Sequence, residues 1–305
     1  MTTPPPTLFS AVGDVAAPVV YQGKVRELFD LGDELLIVVT DRISAHDIRL
    51  KPPIPYKGAV LNRLSRFWFD ATAAMQKNHF VHADASALVR AGVLPEGKAA
   101  LYRDRVTVAR KAERIDMECV ARGYLTGSGW RQYIKSGTVN GIELPEGIRK
   151  NAALDEAIFT PAIKNDEGHD ENISFDRMAE IVGAELAESL KEATLKLYRF
   201  AHDLCRERGV ILADCKFEFG HIDGELVLID EALTPDAARF WAKEAYELDV
   251  EIDSMDKEPL RQFLLREEGR TGTMPEVLPE EIVAETSQRY LELYQRITGT
   301  PLNEE

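Results

Sequence analysis

Charged and apolar residues alternate in the stretch 214–219, which reads DCKFEF. Because the side chains of a strand point alternately to its two faces, this pattern predicts Asp214, Lys216 and Glu218 on one face and an apolar face opposite. A half-exposed antiparallel strand alternates in the same way, so a solvated face is one interpretation. The next run, 226–229, reads LVLI and predicts a buried partner strand. Charges beside a buried strand indicate a cleft.

Asp230 follows that apolar run and adds a second carboxylate to the one on Glu218. Mg²⁺ prefers oxygen ligands and usually takes one or two carboxylates, with waters and phosphate oxygens completing its shell. The pair therefore predicts a magnesium site that serves a nucleotide. A plain two-residue loop at 223–224 would place Asp230 opposite Phe217, on the face away from Glu218. For a shared ion we therefore predict an irregular turn within 221–225, with one extra residue.

Near the N-terminus, Gly23, Lys24 and Arg26 form a second candidate for phosphate binding. A glycine lets a phosphate approach the backbone closely, and cations two residues apart lie on one side of a strand. Taken alone this signal is weak, because a surface turn has the same composition and the chain has no G-x-x-x-x-G-K-[ST] motif.

The segment 122–130, RGYLTGSGW, places small residues before a predicted helix that ends at Gly137. The first turn of a helix has N–H groups that bind anions, and Arg122 adds a positive charge. Ser128 has two interpretations: it caps the helix, or it holds a substrate phosphate.

The run 234–241, TPDAARFW, predicts another helix start, with Arg239 one turn in. That guanidinium can grip a phosphate or carboxylate, or it can lie on the surface. Lys164 and the run 169–174, HDENIS, fall in a loop before a long helix. Adjacent loop residues are usually solvated, so we do not predict direct catalysis by His169.

The elements that must position these residues alternate between strands and helices, which predicts a mixed α/β class. Strand patterns flank the turn at 32–33, and a helical pattern begins near Asn62. A helical region over 174–208 contains Gly183 as a point of division, and a last amphipathic helix spans 279–297.

The composition of the chain argues against several classes of protein and partner. The chain has 305 residues, 45% of them hydrophobic, which suffices for one large or two joined domains. A net charge of −15 without a basic stripe argues against nucleic acid as a partner. Three cysteines without a C-x-x-C pair favour neither a disulfide framework nor a zinc ribbon. No secretory leader or membrane-length apolar stretch is recognisable, so the expected compartment is the cytoplasm.

Several segments, in this order, resemble the signatures of the SAICAR synthetase family: GKVRELF, VVTDRISAHD, IPYKG, ECVARGYLTGS, FTPAIK, HDENISF, LADCKFEFG and IDEALTPDAARFW. The resemblance extends from 23 to 241. It implies a two-domain fold of α+β type with an ATP cleft between the domains, related to the nucleotide-binding architecture of protein kinases. The expected domains are an N-terminal nucleotide-binding domain, 1–115, and a larger domain, 116–305, with the metal and ribotide sites and a closing C-terminal helix.

The resemblance also implies roles for individual residues. Implied to bind ATP are Gly23, Lys24, Arg26, Met117, Glu118 and Cys119, the last three at the adenine. Implied to bind substrate are Arg122, Ser128, Arg239, Lys164 and Asp47, the first three at the ribotide phosphate. The implied magnesium ligands are Glu218 and Asp230, and the implied catalytic residues are Lys24, Lys216 and Asp214.

The family joins 5-aminoimidazole-4-carboxylate ribotide (CAIR) to L-aspartate in purine biosynthesis, with cleavage of ATP to ADP and phosphate. A carboxylate is a poor acyl donor, so ATP converts it into an acyl phosphate that the aspartate amine displaces. The expected partners are these small molecules and Mg²⁺, with no nucleic acid and no membrane, in a monomer or homodimer. Two alternatives stay open: a kinase-like phosphotransferase, which turns over ATP without aspartate, and a nucleotide-binding module without catalysis.

The chain departs from the family pattern at a few positions. Thr, Pro, Tyr and a Ser-Ser pair are common in the family where this chain has Cys215, Asp116, His46 and Ala237-Ala238. None of these changes removes a charged group with an implied role. The missing hydroxyls beside Arg239 bear on substrate-phosphate binding, because they can donate hydrogen bonds.

Overall fold

The computed structural model describes residues 6–46, 48–165 and 170–302. The chain divides into two compact units. Unit 1 comprises Met1–Asp70, His79–Lys111 and Met255–Glu305, and unit 2 comprises Ala71–Asn78 and Ala112–Ser254. The chain thus passes into the main part of unit 2 at 111/112, and unit 1 includes the C-terminal segment. The boundary at 115/116 and the roles given to the two domains stay predictions.

The strands of unit 1 are β1 (Val19–Gln22), β2 (Arg26–Asp30), β3 (Glu34–Val39), β4 (Ile43–Ala45), β5 (Ile48–Leu50), β6 (Phe80–His82) and β7 (Val106–Arg110). Its helices are α1 (Lys57–Thr72, whose last two residues belong to unit 2), α2 (Ala85–Arg90), α3 (Ala99–Tyr102), α7 (Glu258–Thr271) and α8 (Glu280–Thr298). Five strands form an antiparallel sheet in the order β1-β2-β3-β7-β6, while β4 pairs with β5.

Strand alternation builds the core of unit 1. Phe29, Leu36, Val38 and Val108 are fully or nearly fully buried and share one cluster with residues of α2 and α3. Burial of each such side chain contributes about 1.5–3 kcal/mol relative to an exposed one. The predicted strand, turn and strand before residue 40 are therefore present, and the predicted C-terminal helix is α8.

The strands of unit 2 are β8 (Glu113–Arg114), β9 (Met117–Tyr124), β10 (Thr138–Val139), β11 (Ile142–Glu143), β12 (Ala153–Phe159), β13 (Ala162–Ile163), β14 (Glu171–Asn172), β15 (Val210–Ile222), β16 (Glu225–Ile229) and β17 (Ala238–Ala242). Its helices are α4 (Gly127–Ser136), α5 (Phe175–Val182) and α6 (Ala184–Glu207). The main sheet has the order β14-β13-β9-β15-β16, with β12 also on β9 and with β17 and β8 also on β15.

Helix α6 packs on the apolar face of this sheet. Cys119 of β9, Cys215 of β15 and Cys205 of α6 are all buried there. Burial raises the pKa of Cys119 and of Cys205 to about 12, and it also raises that of Cys215. The predicted alternation along 214–219 is confirmed, because Cys215, Phe217 and Phe219 lie in the core. Gly183, at φ +90°, separates α5 from α6 as predicted.

No helix within residues 6–46, 48–165 and 170–302 is long and apolar enough to cross a membrane.

Candidate functional site

One face of the unit 2 sheet carries a row of charges from two neighbouring strands. β9 and β15 pair antiparallel, with Arg122 opposite Asp214 and Val120 opposite Lys216. Opposite residues of paired strands lie on the same face. The row, here called the charged face, consists of Glu118, Arg122, Asp214, Lys216 and Glu218.

At one end of the charged face, a single carboxylate joins two guanidinium groups. Asp214 Oδ2 accepts hydrogen bonds from Arg122 Nη1 at 3.1 Å and from Arg239 Nη1 at 2.7 Å. Arg122 also donates through Nε to Thr160 Oγ1 at 3.0 Å and through Nη2 to Ser128 Oγ at 3.1 Å. Burial lowers the pKa of Arg122, and Asp214 opposes that shift. A guanidinium is not deprotonated in proteins, so Arg122 keeps its positive charge.

The N-terminus of α4 lies beside these arginines. The helix begins at Gly127, and its N-cap is Thr126, which makes no side-chain capping bond. Ser128 is therefore within the first turn, and the interpretation that it caps the helix is wrong. Gly127 has φ +54°, and a Cβ there would lie 2.8 Å from Nη1 and Nη2 of Arg239. A glycine thus permits close contact between a guanidinium and the start of a helix, an arrangement suited to an anion.

The predicted helix start at 234–241 is wrong. Residues 234–237 form only a turn, in which Ala237 N–H donates to Thr234 O at 3.0 Å. Ala238–Ala242 is strand β17, paired with β15 so that Arg239 lies opposite Asp214. Phe240 and Trp241 are buried in this pairing. Cross-strand burial of two aromatic side chains outweighs the local helix-start pattern.

The same register sets two departures from the family pattern side by side. Cys215 lies directly opposite Ala238. Neither side chain carries a hydroxyl, so this cross-strand pair needs no buried hydrogen bond between its members.

At the other end of the charged face, two lysines pair with two buried glutamates. Lys216 Nζ donates to Glu118, and Lys164 forms an ion pair with Glu218. Burial lowers the pKa of Lys216, but the carboxylates of Glu118, Glu218 and Glu231 outweigh it and hold the pKa above its ordinary value. Burial raises the pKa of Glu118, against the effect of Lys216.

Glu218 and Asp230 interact electrostatically, although the strand register alone would place them on opposite faces. Burial raises the pKa of Glu218, and the charge of Asp230 raises it further, while Lys164 and Lys216 oppose both effects. The predicted irregular turn within 221–225 is wrong, because pairing is regular from Glu218 opposite Ile229 to Ile222 opposite Glu225. The turn itself therefore does not bring Asp230 to the face of Glu218.

The irregularity lies instead at Asp230. Asp223 and Gly224 form a plain two-residue loop, with φ +53° and +78°, as in a type I′ turn. Strand β16 ends at Ile229, and Asp230 has φ +63°. Side-chain alternation holds only while the backbone stays extended. The strand register therefore does not require the Asp230 side chain to lie on the face opposite Glu218.

These two carboxylates match the donor set of Mg²⁺. In the part of the chain that the structure describes, no group of three or more His, Cys, Asp and Glu side chains is arranged for a metal ion. A pair is enough for Mg²⁺, which takes one or two carboxylates and keeps its waters. Two neighbouring carboxylates, one of them buried, also gain from a cation that offsets their repulsion.

Among the residues implied to line an adenine pocket, only Glu118 belongs to the charged face. Met117 and Cys119 alternate with it along β9 and are buried on the apolar side. Asp47 and His169, both considered from the sequence, lie outside the described residues.

In unit 1, Gly23, Lys24 and Arg26 lie in and beside the loop that joins β1 to β2. Gly23 N–H donates to Arg26 O at 2.8 Å, and Lys24 is exposed. Glu27 and Arg42, which were not predicted as site residues, form a buried ion pair next to this loop. The run VVTDRIS places Thr40 and Asp41 directly before Arg42, so its hydrophobicity pattern did not mark this arginine as buried.

Comparisons with known proteins identify the family. The sequence model of the SAICAR synthetase family matches residues 19–277. The phosphoribosylaminoimidazole-succinocarboxamide synthase of Stenotrophomonas maltophilia (strain R551-3) is 46% identical over 297 residues, which cover 92% of this chain and 94% of the relative. The chain belongs to the SAICAR synthetase family. The synthase of Pelobacter propionicus (strain DSM 2379 / NBRC 103807 / OttBd1) is 45% identical over 282 residues, with the same coverage.

Solved structures of SAICAR synthetases share the fold. A SAICAR synthase from Saccharomyces cerevisiae, complexed with SAICAR, has a TM-score of 0.84 and 36% identity, covering 98% of this chain and 99% of that chain. A SAICAR synthetase in complex with ADP has a TM-score of 0.66 and 25% identity, covering 93% and 99%. The predicted family, mixed α/β fold and enzyme class are confirmed: this is an ATP-dependent ligase of CAIR and aspartate in purine biosynthesis.

Proposed function

We propose that the charged face of unit 2 binds CAIR at its arginine end and a magnesium ion at its carboxylate end. The observation that carries this proposal is the shared carboxylate of Asp214, which holds Arg122 and Arg239 beside the N-terminus of α4. Two guanidiniums against one carboxylate leave a net positive charge for a phosphate group. The Oγ of Ser128, next to Arg122, is a further polar contact for the same group.

Glu218 and Asp230 are the proposed ligands of Mg²⁺. Their neighbouring charges and the burial of Glu218 support this assignment. When bound, the ion would offset charge on the ATP phosphates during phosphoryl transfer. Lys164 pairs with Glu218, so it is suited to hold that carboxylate and to meet an anionic substrate group.

ATP is the cosubstrate of the family, and two groups of residues are proposed to bind it. In unit 1, Gly23, Lys24 and Arg26 bind phosphates. In unit 2, Met117, Glu118 and Cys119 are the proposed residues of the adenine site, and of the three only Glu118 has its side chain on the charged face. Lys24 and Lys216 are the proposed catalytic cations, Asp214 a proposed catalytic carboxylate, and Asp47 a further substrate contact.

The proposed reaction runs through an acyl phosphate. A carboxylate oxygen of CAIR attacks the γ-phosphorus, ADP leaves, and the aspartate amine then displaces phosphate to form the amide. The carboxylate oxygen that attacked phosphorus departs with the phosphate. The residues of the charged face act by placement and charge neutralisation, and no side-chain nucleophile is required. The proposed setting is a monomer or homodimer in the cytoplasm, without nucleic acid or membrane partners.

Oxygen tracing tests this path. With CAIR labelled by ¹⁸O in its carboxylate, we expect label in the inorganic phosphate and none in ADP. An ADP-release assay with CAIR and aspartate omitted in turn separates the alternatives. ADP release that does not depend on aspartate favours a kinase-like phosphotransferase, and ligand binding without turnover favours a non-catalytic module.

A further inference from the structure

Arg42 is a buried arginine whose side chain binds the loop between β1 and β2 from the inside. It is 1% exposed. Its Nε donates to Lys24 O at 3.1 Å, and its Nη2 donates to Gly23 O at 3.0 Å. A planar guanidinium offers such donors in a fixed geometry, which a lysine does not. The first two carbonyl groups of the loop are therefore held by one side chain.

Thr40 binds the next carbonyl group of the same loop. Its backbone N–H donates to Val25 O at 3.0 Å, and its Oγ1 donates to the same oxygen at 2.5 Å. Three consecutive carbonyls, those of residues 23–25, thus accept hydrogen bonds from Arg42 and Thr40.

The directions of these carbonyl groups also determine the directions of the N–H groups in the same peptides. In a planar trans peptide the C=O and the following N–H point in opposite directions. With the carbonyls of residues 23–25 directed at Arg42 and Thr40, the N–H groups of residues 24–26 are directed away from them. Successive N–H groups on one side of a turn form a concavity suited to an anion. The Lys24 side chain is exposed.

Glu27 fixes the orientation of Arg42. It is fully buried and accepts from Arg42 Nη1 at 2.6 Å. The same carboxylate accepts from Ala11 N–H at 2.7 Å and from Ser10 Oγ at 2.9 Å. Because every one of these donors belongs to unit 1, the guanidinium is anchored within that unit and cannot swing away from the loop without breaking a buried ion pair.

We propose that Arg42 and Thr40 are positioning residues for ATP: by binding the loop carbonyls, they set the conformation in which the loop presents its N–H groups and Lys24 to phosphate. This inference rests on the proposed function of Gly23, Lys24 and Arg26. Neither positioning residue needs to touch ATP, since each acts through the backbone of the loop.

The test compares matched pairs of variants in the full-length enzyme. Thr40→Val and Thr107→Val each remove a buried hydroxyl hydrogen bond in unit 1, but Thr107 bonds to Asn62 Oδ1 at 2.8 Å, away from the loop. We expect the two variants to lose similar amounts of Tm and to keep the KM for CAIR unchanged. Only in Thr40→Val should the KM for ATP increase, by about fivefold or more, because one hydrogen bond to the loop is lost. Thr40→Ser keeps the hydroxyl and is expected to restore the ATP constant.

Arg42→Lys and Arg105→Lys repeat the comparison with buried arginines. Arg105 pairs with Asp41 and donates to Leu101 O, and neither of these partners belongs to the loop. We expect only Arg42→Lys to raise KM for ATP at comparable Tm. If neither Thr40→Val nor Arg42→Lys differs from its control, the inference is overturned.

Lys24→Met separates this inference from the proposed function. One outcome is a raised KM for ATP in Lys24→Met, with Thr40→Val and Arg42→Lys equal to their controls. This outcome supports phosphate binding by the loop and contradicts the positioning role of Arg42 and Thr40. A raised constant in Thr40→Val alone keeps the positioning role and removes Lys24 from the proposed contacts. Where both act, the double variant Lys24→Met/Thr40→Val should show less than the sum of the two effects, because the two changes damage one loop.

Discussion

Asp214 is the direct cross-strand neighbour of Arg122 on one side and of Arg239 on the other. A single oxygen, Oδ2, accepts from both guanidiniums. Strand β15 therefore supplies the anion, and its two flanking strands supply the cations. The arrangement holds two like charges close together on a sheet, and it depends on one carboxylate.

Replacement of that carboxylate should destabilise the protein. Asp214→Ala leaves the buried Arg122 beside Arg239 without a counter-charge, so we expect the free energy of unfolding to fall by about 3 kcal/mol. The control is Asp203, an exposed aspartate beside His202. Asp203→Ala should cost no more than about 0.5 kcal/mol. Urea unfolding measures both. Added inorganic phosphate should raise the Tm of Asp214→Ala more than that of the wild type, and equal losses in the two variants would contradict the prediction.

The two arginines should matter for CAIR rather than ATP. Arg122→Lys and Arg239→Lys keep the charge but lose the planar fork. We expect KM for CAIR to rise by about tenfold or more, since hydrogen bonds between charged groups contribute about 1.5–3 kcal/mol. Arg199→Lys, at an exposed position on α6, should leave all constants unchanged. A shift in the ATP constant instead would place these arginines in the nucleotide site.

The glycines at the two ends of α4 form a matched pair. Gly127 and Gly137 both have positive φ, so alanine at either position should cost about 1 kcal/mol of stability. A methyl group on Gly127 meets the guanidinium of Arg239, whereas nothing lies within 4 Å of one on Gly137. We therefore expect Gly127→Ala, and not Gly137→Ala, to raise KM for CAIR. Steady-state kinetics measure the KM for CAIR of both variants. Equal values would show that the Arg239 side chain moves to accommodate the added methyl group.

Loss of either proposed magnesium ligand should abolish most turnover. Glu218→Gln and Asp230→Asn each remove an anionic oxygen, so we expect ATP binding to lose its dependence on Mg²⁺. Glu225→Gln, at an exposed glutamate paired with Lys77, is the control and should behave as the wild type. Isothermal titration with and without Mg²⁺ gives the comparison. Near-normal activity of either site variant at ordinary Mg²⁺ would refute the assignment.

Acid stability should depend on Glu27. Burial raises its pKa, but hydrogen bonds from Arg42, Ala11 N–H and Ser10 outweigh burial, and the net pKa lies below the ordinary 4.5. Stability from this group is therefore present above pH 4.5 and is lost as pH falls through the lower, folded-state pKa. Glu27→Gln should be less stable at pH 7, with the difference from wild type shrinking towards pH 3. A constant difference across this range, measured by urea unfolding, would contradict the prediction.

Local patterns predicted what depends on a single strand. Alternation placed Asp214, Lys216 and Glu218 on one face, since β15 is extended throughout that stretch. Alternation does not extend to Asp230, because strand β16 ends at Ile229 and Asp230 has a left-handed conformation.

Features that depend on pairing between distant segments could not be predicted from the sequence. Thr234 to Ala237 begin a turn that locally resembles a helix start, yet Phe240 and Trp241 gain more burial in a strand on β15. Likewise Glu27 and Arg42 are charged residues in ordinary-looking runs, and only the fold shows that they meet in the interior. Pairing energies of this kind are invisible to periodicity.

The three cysteines can report the unfolding of unit 2, because a thiol reagent reaches them only when the core of that unit is exposed. Cys119, Cys205 and Cys215 all lie in the interior of that unit, and unit 1 has none. Their raised pKa values suppress the reactive thiolate in the folded state. A thiol reagent that reacts faster than unit 2 closes again therefore modifies the chain at the rate at which unit 2 exposes its core. Modification of these three cysteines, followed in urea by mass spectrometry, would report the opening of unit 2 within one unmodified sequence.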